Sequence, residues 1–386
     1  MQNSALAGTL ATNNGPQHHA THSNVLYSPQ SMGSSGIHKV VPETTTPFFK
    51  GIQSDVKKFV QVLLSDRSVN LVISPFLVTT TEAITARVMN EVGLNVGLNE
   101  SAIVSDHIPP NIMDTVKGLH VQSKEEHIDK ALEQLNISHT TSAELRQKGY
   151  AQATAELNAR IAKDTQGMIT DLLDPNNLED PTLAFRLVTW LFEHVSWEEP
   201  FELMNDVDSS AMTWQNTTHP EIQWMESGGE THTIKHTRSD GYDFIAVPVK
   251  ETGIKAVLVL PPSEETNHNS EDLNRVLLNG LTSILGKAEN NRAEITLPKF
   301  KFDYEYTTEH SEAGAIATHK AALNIDEEGA DVAATSEMLA YACCASTIKY
   351  PKFDFDHPFY FAIIDHENAE KPRVVGMAWI KQPWNS

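Results

Sequence analysis

Side chains able to do covalent chemistry are few and poorly grouped in this sequence. The only two cysteines, Cys343 and Cys344, are adjacent, so they supply neither a disulfide framework nor the spaced thiolates of a zinc site. There is no G-x-S-x-G elbow, no H-E-x-x-H and no phosphate-binding glycine loop, and Ser, His and Asp without such a frame do not make a triad. His18, His19, His22 and His38 fall in a polar stretch with nothing to fix ligand geometry, so neither a metal nor a cofactor is expected. The sequons at Asn99, Asn136 and Asn216 are what an Asn-, Ser- and Thr-rich chain produces by chance. The reading is of a protein that is not an enzyme.

The informative stretch lies between His319 and Pro358. It begins with strand character and becomes Asp326-Glu327-Glu328-Gly329-Ala330-Asp331-Val332-Ala333-Ala334-Thr335-Ser336, followed by small and mixed residues to Lys349. Small side chains after a glycine suit a plain surface loop. They also suit a strand able to slide into a packed sheet, where bulky or charged inward residues would clash. The residues alone leave both readings open.

The elements around this stretch follow from pattern. Residues 1–46 are rich in Asn, Ser, Thr, Gly, Pro and His without apolar periodicity, and read as a disordered polar tail. Val56, Phe59, Val60 and Leu63 recur at helical spacing. Asn70–Pro75 reads as a short buried strand stopped by proline, with a helix from about Thr79 to Val92. Weak helical patterns cover 128–136 and 142–157, and Ile169, Leu172 and Leu173 suggest a short helix before Pro175. Leu187–Phe192 is nearly all apolar or β-prone, as a strand buried on both faces must be. Tyr242–Val249 and Ile254–Leu260 form a hairpin, Ala293–Tyr306 is a strand broken at Pro298, and Pro358–Ile364 and Arg373–Ile380 are strands.

Charge narrows the partners. With 51 acidic against 29 basic side chains among 386 residues, the formal charge is -22. Phosphate backbones and anionic lipid surfaces are repelled, so no nucleic acid and no membrane are expected. No apolar run approaches the length of a membrane span, and the opening residues lack the basic and apolar regions of a secretory leader.

Several ordered stretches together resemble the serpin family. They are Asn70–Pro75, Asn158 through Thr165-Gln166-Gly167 to Leu173, and Leu187–Phe201 with Trp197-Glu198-Glu199-Pro200-Phe201. They continue with Leu297-Pro298-Lys299-Phe300, His319-Lys320-Ala321 leading to Glu327-Glu328-Gly329, Asp356-His357-Pro358-Phe359 and Gly376–Pro383. The resemblance covers most of residues 50–383, with a serpin domain over 47–383. It implies an α+β fold of three β-sheets with about eight helices and an exposed reactive loop. It also implies a suicide pseudo-substrate, a monomer without cofactor whose partner is a serine protease, or less readily a cysteine protease, that cuts the loop and is trapped when the loop inserts into the central sheet. A non-inhibitory serpin serving as a binding or carrier protein is the alternative.

By that resemblance Glu327, Glu328, Gly329, Ala330, Ala333 and Ala334 form the hinge, with Asp331 facing solvent and Val332 larger than usual. Ser74, Thr189 and His319 form the shutter beneath the sheet, and Trp197 marks the breach at its top. Counting along the loop places the reactive bond between Cys343 and Cys344, with Tyr341 a second candidate. The protein is expected outside the cell on family grounds, with the cytoplasm as the alternative. The sequence departs from the family pattern at Thr189 (usually asparagine), Leu77 (serine), Val195 (glycine) and Met168 (lysine). It also carries a shortened connection between about 306 and 319.

Overall fold

A computed structural model describes residues 50–93, 118–191, 195–227, 232–263, 269–286, 288–310, 314–330, 350–367 and 371–384, all within one compact unit, Thr45–Ser386. The chain opens with α1 (Lys50–Leu63), β1 (Leu71–Ile73) and α2 (Pro75–Glu91). It continues with β2 (Leu119–Ser123), α3 (Glu126–Gln134), β3 (His139–Thr140), α4 (Ser142–Lys148), α5 (Tyr150–Asp164) and α6 (Asn176–Glu179). Next come β4 (Phe185–Leu191), β5 (Val195–Ser196), β6 (Glu202–Leu203), α7 (Asp206–Ala211), β7 (Trp224–Glu226), β8 (His232–Ser239), β9 (Tyr242–Val247) and β10 (Ile254–Leu260). After α8 (Ser270–Gly286) follow β11 (Glu289–Pro298), β12 (Phe300–His310), β13 (Ala315–Ile325), β14 (Gly329–Ala330), β15 (Lys352–Asp354), β16 (Phe359–Asp365) and β17 (Arg373–Ile380).

These strands make three sheets. The largest runs β1-β17-β16-β10-β9-β8-β11-β7-β6 with β15 paired to β11, the second runs β12-β13-β4-β2-β3, and the third is the ribbon β14-β5. One core, built on Trp197, Phe201, Trp224, Phe300 and Phe359, is shared by strands of the two larger sheets. Another packs α1 and α8 on the large sheet through Phe59, Leu277, Phe244 and Tyr360. Asp55, fully buried on α1, ties that helix to β17 by accepting from Arg373 Nε at 2.9 Å and from the Val374 N–H at 2.9 Å.

Three local expectations change and a fourth gains detail. Helix α2 begins at Pro75 rather than near Thr79. Proline lacks an N–H and is preset for the first helical position, while Ser74 caps the helix by accepting from the Leu77 N–H at 3.2 Å. The stretch 142–157 is two helices, because Gly149 takes φ +82° between them. No helix forms at Ile169–Leu173. The Asn158 side chain takes both backbone groups of Leu173, at 2.9 and 3.0 Å, and the helical turn comes after Pro175 instead. Finally, the break read at Pro298 within Ala293–Tyr306 is present, but it separates strands of two different sheets. At Pro298–Lys299 the chain leaves the ten-stranded sheet as β11 and enters the five-stranded sheet as β12.

Where a shortened connection is expected, β12 and β13 are antiparallel neighbours. β12 pairs with β13 from Phe300↔Ile325 to His310↔Ala315, and the return passes through Gly314 at φ +57°. A Cβ there would lie 2.3 Å from the Thr182 carbonyl oxygen, so only glycine fits this approach.

Candidate functional site

At the centre of the five-stranded sheet, β4 and β13 are parallel neighbours, with His319 opposite Thr189 and Ala315 opposite Phe185. Their outer partners on either side, β2 and β12, are antiparallel to them. A strand running the other way would fit between β4 and β13 with antiparallel ladders on both sides, the slightly more stable arrangement per residue. The continuous parallel β4–β13 ladder, flanked by antiparallel pairs, is the seam of this sheet.

The middle of the seam is a buried polar cluster. His319 Nε2 lies 3.0 Å from the Ser74 N–H and Nδ1 lies 2.9 Å from Thr189 Oγ1, with the ring 2% exposed. A backbone N–H can only donate, so Nε2 accepts and the proton sits on Nδ1, donated to Thr189. Burial pushes the imidazole down to about 3, which keeps it neutral. Thr81 Oγ1 lies 3.4 Å from Thr189 Oγ1, and Leu77, where a serine would sit in the family pattern, is buried among apolar side chains. Threonine at 189 thus satisfies the histidine.

The top of the seam is held mostly by backbone. Trp197, fully buried, donates from Nε1 to the Asp326 carbonyl and from its backbone N–H to the Glu328 carbonyl, each at 3.0 Å. The Phe201 N–H donates to the Glu327 carbonyl at 2.8 Å, and Lys299 Nζ reaches Glu327 Oε2 at 2.7 Å. Burial raises the Glu327 carboxyl, but its bonds to Lys299 and to backbone outweigh that and leave it below the usual range. Asp326 Oδ1 accepts from the N–H groups of Glu328 and Gly329 at 3.1 and 3.2 Å, and its own N–H donates to the Gly329 carbonyl at 2.9 Å. This turn reverses the chain, so Gly329 and Ala330 run antiparallel to β5, opposite Ser196 and Val195. Ala333, Ala334, Cys343 and Cys344 lie outside the described residues, as do Asp331 and Val332.

The family model for serpins, described as serine protease inhibitors, matches residues 113–311 and 315–373. The chain belongs to the serpin family. A serine proteinase inhibitor of Cavia porcellus is 29% identical over 249 residues, which is 58% of this chain and 57% of that one. Alpha-1-antiproteinase of Rattus norvegicus is 24% identical over 289 residues, 68% of this chain and 67% of that one. The chain thus spans a little under three-fifths of the first of these relatives. Among solved structures, human thyroxine-binding globulin complexed with thyroxine superposes with a TM-score of 0.63 at 15% identity, covering 88% of this chain and 100% of that one. The fold is that of serpins, with eight helices among the described residues.

Two residues that shape the top of this serpin's seam were not singled out from sequence. Asp326 had a readable signal, since Asp three positions before Gly is a turn pattern in which the carboxylate accepts the next N–H groups. Lys299 stands in the Leu297-Pro298-Lys299-Phe300 stretch, but its pairing with Glu327, 28 positions away, had no signal. Among the described residues, no group of three or more His, Cys, Asp or Glu side chains is placed to hold a metal. No helix among them is long and apolar enough to cross a membrane.

Proposed function

We propose that this serpin inhibits a serine protease as a suicide pseudo-substrate, acting as a monomer outside the cell and without a cofactor. The observation that carries the reading is the seam with its first rung occupied. β4 and β13 are parallel, and Gly329–Ala330 already runs antiparallel to β5 above them. A strand that continues past Ala330 in that direction would enter between β4 and β13. The segment 330–335 contains Ala330, Ala333 and Ala334, side chains small enough to enter.

In this reading the protease hydroxyl attacks the carbonyl carbon of Cys343. The amide to Cys344 breaks, its nitrogen leaves with the proton passed on by the protease base, and an ester joins the two proteins. Insertion of the freed strand then carries the acylated protease away before water can cleave the ester. Glu327, Glu328 and Gly329 act as the hinge, Ser74, Thr189 and His319 as the buried lock, and Trp197 as the post on which the hinge turns. Names of relatives that call them proteinase inhibitors support the same reading.

The test is incubation with a panel of serine and cysteine proteases, read for a denaturant-stable covalent complex and for the mass of the released C-terminal peptide. A complex whose released peptide starts between Cys343 and Ala345 is expected. Cleavage by every protease without any complex would leave the binding or carrier reading, for which the similarity to thyroxine-binding globulin supplies the precedent of fold.

A further inference from the structure

Arg186 is an unusual tenant of its place. It stands on β4 on the face that also carries Val188 and Trp190, two residues and four residues on, and it is 1% exposed. Among the described residues it takes part in no ion pair. Its guanidinium is held by oxygens that carry no formal charge: Nε donates to Gln122 Oε1 at 3.1 Å, one terminal nitrogen also reaches that Oε1 and Thr154 Oγ1 at 3.2 Å, and the other donates to the Asp174 carbonyl at 3.1 Å. Burying a cation is costly unless its donors are satisfied, and burial lowers its proton affinity to about 10. An apolar side chain would pack here without that cost, so the position has another use.

Its partners show what that use is. Gln122 is opposite Arg186 in the β2–β4 ladder, so that bond stays within one pair of strands. Thr154 lies on α5, and Asp174 lies in the return from α5 to the sheet. The same helix and return cover the seam itself, since Leu157, Ile161, Ile169 and Leu172 pack over Val188 and Trp190 of β4 and against Ala322 of β13. A strand entering between β4 and β13 at this depth must first lift that cover. The apolar contacts can slide, whereas the two bonds from a buried cation must break.

We infer that Arg186 is a clasp that fastens α5 and its return segment over the seam and so sets the rate of strand insertion. The use as a brake on insertion rests on the inhibitor reading, but the fastening of α5 does not. Because the clasp holds uncharged oxygens, its opening strands no buried carboxylate. Gln122 keeps hold of the guanidinium while water replaces Thr154 and the Asp174 carbonyl. The clasp can therefore open and close without unfolding the strands beneath it.

Two variants test this in the full chain. Arg186→Met fills the volume without donors, and Thr154→Val removes only the helix-side acceptor at constant shape. Amide hydrogen exchange of the uncleaved protein is expected to quicken across α5 by roughly tenfold or more for Arg186→Met and a few-fold for Thr154→Val, with α1 and α8 unchanged. After the loop is nicked by a non-target protease, insertion followed by tryptophan fluorescence should be faster in the same order. Unchanged exchange in α5, or quickening spread equally over all helices, overturns the clasp. Insertion at the wild-type rate in both variants overturns its role as a brake. If Arg186→Met does not fold, Thr154→Val decides both points. If nicked wild-type protein shows no insertion at all, the inhibitor reading falls and the exchange measurement alone decides the clasp.

Discussion

The top and the middle of the seam are held by different physics. At the top, the turn at Asp326–Gly329 is fixed by backbone bonds to Trp197 and Phe201 and by one partly exposed ion pair, Lys299–Glu327. In the middle, Ser74, His319 and Thr189 are buried and neutral, and each satisfies the next. Water can replace the Lys299–Glu327 pair at the top, whereas a bond lost in the middle leaves an orphaned polar group in the core. On the proposed function, a sheet built this way opens from its top and is locked at its middle.

The sharpest way to break that comparison is to cut the loop. If the slot accepts a strand, cleaved protein should melt at least about 10 °C above intact protein, since each kcal/mol moves the melting point of a chain this long by about 2 °C and a new central strand adds many ladder bonds. No upward shift in a melting curve taken before and after nicking would mean that the middle never opens. Next, Ala330→Arg should leave cleavage intact and abolish the trapped complex, because a long charged side chain must be desolvated at the first step past the top. Trapping at the wild-type stoichiometry would show that the top is not where entry starts.

Within the lock, His319→Leu should cost about 3 kcal/mol in urea denaturation, as the Ser74 N–H and the Thr189 hydroxyl both lose their partner. A loss below about 1 kcal/mol would mean that the cluster is wetter than its burial implies.

The lock should also respond to pH. His319 is held at about 3 and, outside the lock on β2 with its Nε2 2.8 Å from Thr140 Oγ1, His120 at about 4, both chiefly by burial, against an ordinary 6.5. Between these values and 6.5 the unfolded chain binds protons that the folded chain refuses. Stability is therefore full above 6.5 and falls by about 1.4 kcal/mol per histidine for each unit of pH lowered below it, until the folded value is reached. Denaturation at pH 7.5 and 5.5 measures this, and a flat profile would count against a sealed middle. The smallest effect belongs to the top, where Lys299→Met should cost about 1 kcal/mol or less and act mainly by quickening amide exchange at Glu327 and Glu328.

Much of the architecture was legible in local pattern. Strand β4 showed itself as an uninterrupted β-prone run, β9 and β10 as a hairpin around a glycine turn, and α1 as a helical stripe. The places where pattern misled have more than one cause, among them a side chain elsewhere in the chain and a backbone special to its place. Asn158 takes the backbone bonds that a helix at Ile169–Leu173 would need, and Gly149 in the left-handed region divides what periodicity joins.

The sequence by itself determined the elements, the small residues after Gly329 and the family they resemble, because turn chemistry, apolar spacing and side-chain size are local properties. Only the tertiary structure decided that β4 and β13 are parallel neighbours and that Thr189 is bonded to His319. It alone showed that Lys299 meets Glu327 and that an arginine lies fastened beneath α5. Each of these joins positions distant in the chain, and no periodicity encodes a hydrogen bond whose two ends are brought together only when the sheet closes.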